Sequence, residues 1–170
     1  GHGIVFVRGE YHLARERLRH AIGQARLQGW LGENIQGSGF GFDIHIHSSA
    51  GRYICGEETA LLTALEGRRA TPRSKPPFPQ TGGLWGAPSV VNNVETLSNL
   101  PHIIANGAEW FTALGLGVDS GTKIYGVSGR VVRPGAWELP MGTPLREIVE
   151  EHAGGMRPGY GLRALLPGGA

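Results

Sequence analysis

One cysteine in 170 residues excludes an intrachain disulfide, and with it any zinc site or iron–sulfur cluster made of several thiolates of this chain. No apolar run approaches the roughly 20 residues of a membrane-spanning helix. No basic start followed by an apolar centre reads as a secretory signal. Charge of neither sign dominates: 16 Lys and Arg against 14 Asp and Glu leave a formal +2, which does not call for a nucleic-acid partner. The phosphate fingerprints G-x-G-x-x-G and G-x-x-x-x-G-K-[ST] are absent, as are nucleophile-elbow and zincin spacings. The chain therefore reads as soluble and cytosolic. Hydrophobic content of 40% and charged content of 18% are ordinary for a globular protein. Its excess is glycine, 29 residues, which implies tight turns or close approach of backbone to a ligand. This length can bury one sizeable core, or a domain and part of a second.

Ile4–Val7 is a continuous apolar run fit for a buried strand. From Glu10 to about Gln28, Tyr11, Ala14, Leu18, Ile22 and Ala25 recur at helical spacing, and Gly29 and Gly32 end the helix. After a Gly-rich loop over Gly37–Gly41, Phe42, Ile44 and Ile46 alternate with Asp43, His45 and His47 as a strand. Strand, helix, strand is the unit of an α/β sheet. Glu57–Glu66 predicts a short helix with Ala60, Leu61, Ala64 and Leu65 on one face, ended by Gly67. Arg68–Pro88 is rich in Pro and Gly and predicts a long ordered loop, a length that in compact domains usually carries function. Asn92, with Glu95 three residues on, fits an N-cap and capping box for a helix with Val94, Leu97 and Leu100 inward. Pro101 is expected to kink or restart it, with Asn99 as the new cap. Ile103, Ile104, Trp110, Phe111 and Leu114 extend that buried helical surface.

Gly115–Gly121 reads as a linker, separating an α/β domain at 1–114 from a second domain at 122–170. In the second, Lys123–Val127, Arg130–Val132 and Ala136–Leu139 read as strands. Thr143 is the expected cap of a helix over Pro144–His152, with Leu145, Ile148 and Val149 on one face, and Leu162–Leu166 reads as a further strand. This order suggests a small α+β domain of the β-grasp kind. With no initiator Met and a partnerless strand close to Ala170, the chain reads as a piece of a longer protein.

The chemistry concentrates between Tyr53 and Thr96. Glu57 and Glu58 open a helix, where carboxylates complement the helix dipole by about 0.3–1 kcal/mol each; alternatively one faces a cofactor cleft. Arg68, Arg69, Arg73 and Lys75 form either a solvated basic surface or a phosphate clamp. Phe78 lies three residues beyond Lys75 across two prolines, and is either a core-packing residue or an aromatic face beside a cation that suits a stacked purine next to a pyrophosphate. Asn92 and Asn93 are a pair where one suffices as a cap, and the spare amide could hold a ring edge or phosphate. Cys55 reads as a small buried residue, and His45 with His47 as polar strand residues rather than metal ligands.

Five motifs carry a resemblance: Arg52–Leu61 (RYICGEETAL), Arg73–Pro79 (RSKPPFP), Val91–Thr96 (VNNVET), Gly135–Pro140 (GAWELP) and Pro167–Gly169 (PGG). Together they resemble the NADH-binding, FMN-containing flavoprotein subunit of respiratory complex I. The resemblance runs over effectively the whole chain. It implies a partial Rossmann-like α/β domain that binds FMN and NADH, then a partial β-grasp, SLBB-like domain. It implies that Tyr53, Gly56, Glu57, Glu58, Val91, Asn92, Asn93 and Thr96 face the flavin, and that Glu58, Lys75 and Phe78 serve NADH. The family's reaction is hydride transfer from NADH to the flavin, with electrons then leaving singly to an iron–sulfur cluster. No side chain need act as acid or base. The family's 4Fe–4S cluster has its ligands outside this chain, so the expected content here is about half a flavin site, inactive in isolation. The implied setting is the cytoplasmic face of the inner membrane, without insertion, beside a thioredoxin-like 2Fe–2S subunit and a large iron–sulfur subunit. Flavoprotein subunits of NAD-linked formate dehydrogenase or NAD-reducing hydrogenase share such a site. A non-catalytic interaction module is the reading from another class.

Overall fold

The computed structural model describes residues 1–49 and 51–168. They fall into two compact units, Gly1–Val91 and Asn92–Ala170.

In the first unit, strands β1 (His2–Val7) and β2 (Asp43–Ser48) pair in parallel, with Gly3 opposite Ile44 and Val7 opposite Ser48. The connection between them contains helix α1 (His12–Leu27), so the expected strand–helix–strand unit is present. Gly29, at φ +68°, takes the left-handed position that closes α1. There Trp30 N–H donates to Ala25 O and Gly29 N–H to Arg26 O, the paired bonds of a Schellman stop. Arg26 grips Asp43 with two bonds of 2.9 Å and also reaches Ile44 O, fastening the end of α1 to the start of β2. The guanidinium beside Asp43 holds its carboxyl below the usual range. Of the helically spaced apolar residues of α1, Ile22 is buried and Leu18 and Ala25 are half-buried, while Tyr11 and Ala14, at its start, are exposed. Two strands, all that this sheet has among the described residues, give such a helix a narrow floor.

Helix α2 (Glu58–Leu65) follows a turn over Tyr53–Gly56, and a single turn α3 (Pro79–Gly82) interrupts the Pro-rich loop. The buried residues of α2 are Thr59, Ala60, Leu62 and Thr63; of the expected face Ala60 is buried, while Leu61, Ala64 and Leu65 are half-buried. The loop supplies hydrogen bonds to the two threonines, and this outweighs the apolar periodicity.

In the second unit, α4 (Val94–Asn106) and α5 (Ala108–Ala113) precede the antiparallel pair β3 (Thr122–Val127) and β4 (Gly135–Pro140). Asn93, rather than Asn92, caps α4 by accepting from Glu95 N–H at 2.8 Å. No capping box forms: with Asn93 as the cap, Glu95 is the second helical residue rather than the third, and its carboxylate accepts from Ile124 N–H. Pro101 lies inside a continuous helix; Asn99 caps nothing and donates to Glu95 O. Val94, Leu97, Leu100, Ile104 and Trp110, expected inward, are exposed. Gly115–Gly121 is held rather than loose: Leu116 N–H donates to Met141 O, Met141 N–H to Gly121 O and Gly121 N–H to Phe111 O.

Helix α6 (Leu145–Glu147) widens into a π turn over Ile148–His152. Thr143 does not cap it; its hydroxyl donates to Pro140 O at 2.7 Å. Ile148 and Val149 are buried as expected, whereas Leu145 is exposed. Val131, Val149 and Ala153 form a small core with Val127, Trp137 and Met156 against it. The expected strand at Arg130–Val132 reduces to one bridge, Val131 to Met156, and Leu162–Leu166 is not a strand. An extended run becomes a strand only where a neighbour offers a ladder of donors and acceptors.

Candidate functional site

Glu57 is the N-cap of α2. Its Oε2 accepts from Ala60 N–H at 2.8 Å and from the Thr59 hydroxyl at 2.5 Å. Burial pushes its carboxyl up, but the bonds from Thr59 and Ala60 and the charge of Lys75 prevail and hold it below the usual range. Thr59 links helix to loop, because its oxygen also accepts the Arg73 N–H at 2.8 Å.

The other end of α2 makes the converse demand. Glu66 is the C-cap, where the helix dipole disfavours a carboxylate. Arg73 Nη2 answers it at 2.8 Å, and Trp85 N–H donates to its other oxygen at 2.9 Å. The Trp85 N–H bond and then the guanidinium keep the Glu66 carboxyl below the usual range. Arg73 Nε donates to the Thr63 hydroxyl at 3.0 Å and Nη1 to Gly83 O at 3.3 Å. Arg73 thus hydrogen-bonds through Nε and Nη1 and ion-pairs through a buried Nη2 that makes no hydrogen bond of its own, and these contacts within the protein correct its reading as a phosphate fork. Trp85 takes a left-handed backbone, φ +51°, which costs a bulky residue free energy and persists where surrounding bonds impose it.

Lys75 and Glu58 are brought together as an ion pair between the loop and the first turn of α2. Its bond to Glu58, offset by partial burial and aided by the charges of Glu58 and Glu57, raises the Lys75 pKa above its ordinary value. Phe78 is 54% exposed, yet its backbone is fixed. Its carbonyl accepts from Thr81 N–H, Gly82 N–H and the Thr81 hydroxyl at 2.9–3.0 Å. Tyr53 is 78% exposed. Gly56 is exposed just before the cap, and Val91 is half-buried at the end of the unit. Arg68 and Arg69 are exposed. An open depression of about 480 Å³ is lined by Glu66, Arg68, Arg73, Trp85 and Gly86 and includes neither Lys75 nor Phe78.

Asn92, Asn93 and Thr96 belong to the second unit, at the start of α4. Asn93 is occupied as the cap, while Asn92 and Thr96 are exposed. Cys55 is buried, in keeping with its reading as a packing residue. His47 stacks on Phe6 at 5.2 Å between ring centres, and His45 is exposed. Sequence reading missed the Thr59–Thr63–Glu66–Arg73 network. The available signal was two threonines one helical turn apart on a short helix that ends in a carboxylate.

Residues 1–102 match the family model described as the Nuo51 FMN-binding domain, and residues 124–169 match the SLBB domain. The chain is 60% identical over 168 residues to a subunit of the NADH-quinone oxidoreductase of Salmonella typhimurium, covering 99% of this chain and 38% of that one. The corresponding Escherichia coli protein gives the same figures. That of Mycobacterium bovis is 49% identical over 169 residues, with 99% and 38% covered. A solved NAD+-reducing [NiFe]-hydrogenase in the H2-reduced state is similar over 91% of this chain and 25% of that one, with a TM-score of 0.76 and 39% identity. The chain thus spans about two fifths of the length of these curated relatives. The fold class is α/β in the first part and a small α+β, SLBB-like domain in the second.

Proposed function

The chain belongs to the Nuo51 FMN-binding domain family, and from that premise we propose that it is a stretch of the NADH-oxidising flavoprotein subunit of a respiratory NADH:quinone oxidoreductase. The observation that carries this reading is the Lys75–Glu58 pair with the exposed ring of Phe78 three residues away on fixed backbone. An ammonium, a carboxylate and an open aromatic face fit a dinucleotide: charge for the pyrophosphate, an acceptor for ribose or amide donors, a ring for the purine.

In this reading Glu58, Lys75 and Phe78 hold NADH, and Tyr53, Gly56, Glu57, Val91, Asn92, Asn93 and Thr96 border FMN. Bound FMN supplies a two-electron acceptor that releases electrons one at a time. The residues of this chain orient the nucleotide and set the field around it, with no side chain transferring a proton. The 4Fe–4S cluster lies in the full-length subunit outside this chain; a lone buried Cys55 does not suit it. The partners are other subunits of the same peripheral arm, the thioredoxin-like 2Fe–2S and large iron–sulfur subunits, at the cytoplasmic face of the membrane. No helix among the described residues is long and apolar enough to cross that membrane. We divide the chain into an FMN/NADH-binding part at 1–114, a linker at 115–121 and an SLBB part at 122–170. The two family matches, which leave 103–123 between them, support this division.

The solved hydrogenase favours a second reading, the flavoprotein of an NAD-reducing hydrogenase, which would use the same nucleotide site. The higher identity to the quinone oxidoreductase subunits supports the first. The test is Lys75→Ala in the assembled enzyme. The expected result is a KM for NADH raised about tenfold, as for one lost charge-assisted contact, with a smaller change in kcat. An unaltered KM removes Lys75 from the site.

A further inference from the structure

We propose that Arg73 is the positioning residue of the nucleotide cluster, setting Lys75 and Phe78 against the carboxylates of α2; this rests on the reading that Glu58, Lys75 and Phe78 bind NADH. Lys75 and Phe78 sit on a loop with no strand ladder to fix it, so something else must set their distance from Glu57 and Glu58. Arg73 does so from two residues before Lys75. Its backbone N–H donates to Thr59, whose hydroxyl donates to Glu57, so loop and cap share one hydrogen-bond relay. Its guanidinium spans Glu66 and Thr63 on α2 and Gly83 beyond Phe78. The segment from Arg73 to Gly83, with Lys75 and Phe78 inside it, is therefore pinned to the helix at its beginning and tied back to Arg73 at its end. The Glu66 carboxylate is in turn held by Arg73 and Trp85 N–H, so the clamp is closed without any help from Lys75.

A planar fork with divergent donors is required. The ammonium of a lysine cannot reach Glu66, Thr63 and Gly83 together, so lysine should not substitute. Arg73 itself need not touch the nucleotide, which separates its role from that of Lys75. Loss of the clamp would let the ammonium and the ring drift independently, and a displacement on the order of 1 Å is enough to weaken an oriented contact severely.

The experiment uses the assembled enzyme with the full-length subunit and compares Arg73→Met, Arg73→Lys, Thr59→Val, Thr59→Ser and Lys75→Ala by steady-state NADH oxidation. Arg73→Met and Arg73→Lys are each expected to raise KM for NADH about tenfold while kcat stays within about twofold, the signature of lost uniform binding. Thr59→Val should raise KM in the same way and Thr59→Ser should restore it; this pair decides the matter if the Arg73 variants do not assemble. Full rescue by Arg73→Lys, or identical behaviour of Thr59→Val and Thr59→Ser, overturns the proposal. A raised KM in Lys75→Ala with an unchanged one in Arg73→Met overturns the positioning role and leaves the NADH site standing. An unchanged KM in Lys75→Ala overturns both.

Discussion

The loop between Arg68 and Ser89 and the helix α4 are opposites. The loop has little regular backbone, yet its side chains and amides are tied across the chain to α2 by Arg73, Lys75 and Trp85. Helix α4 has regular backbone over thirteen residues and none of them is buried. Its side-chain donors on Ser98, Asn99 and Asn106 run to carbonyls one turn back, only the Glu95 carboxylate reaches out, to Ile124 N–H, and Ile104 is 83% exposed. Regular hydrogen bonding completes a helix by itself and fixes nothing about its surroundings. An irregular segment has no such self-sufficiency, so its order must come from named partners elsewhere. In this protein the irregular segment is the better located of the two, and it carries the proposed cluster.

The contrast can be broken by unequal responses to substitution. Leu62 on α2 is buried, so Leu62→Ala should cost the first unit about 2–5 kcal/mol; a urea midpoint close to that of the parent chain would show that α2 is not the anchor. Asn93→Ala removes the cap of α4 and should cost about 1 kcal/mol, read as lost helicity by circular dichroism. Acid should act on the loop through Glu57 and Glu66. Both carboxyls titrate below their ordinary 4.5 in the folded chain. The unfolded chain therefore binds more protons in that interval, and the stabilisation, complete above about pH 4.5, is lost as pH falls through the folded values. Amide protection factors across Thr71–Ser89, corrected for the intrinsic pH dependence of exchange, that stay constant on acidification would contradict this. The smallest effect belongs to α4: Ile104→Ser should stay within about 0.5 kcal/mol, since the side chain is already in water. A loss several times larger would show that the apolar face of α4 has a partner in solution.

The same contrast explains what could be read from the residues alone. The pairing of β1 with β2 around α1, and the strands β3 and β4, follow from apolar spacing and turn residues, which act locally. Asn93 rather than Asn92 caps α4, a one-residue shift in helix start that takes Glu95 out of the capping-box position and leaves its carboxylate to Ile124 N–H. The buried threonines of α2 escaped notice because an apolar period is blind to a hydroxyl that receives an arginine from ten or more residues away. Arg73 itself looked like one of four exposed cations; only its burden of partners distinguishes it. Among the residues of the proposed site, Glu58 and Lys75 form an ion pair and Phe78 is exposed. No sequence period could have announced a contact between a helix start and a loop seventeen residues on.

Cys55 closes the turn immediately ahead of the Glu57 cap, and it is the chain's one thiol. A thiol-specific reagent therefore has a single target, shielded while that turn is shut. Its labelling rate is a clock built into the molecule, ticking once for each excursion that uncovers the entrance to α2.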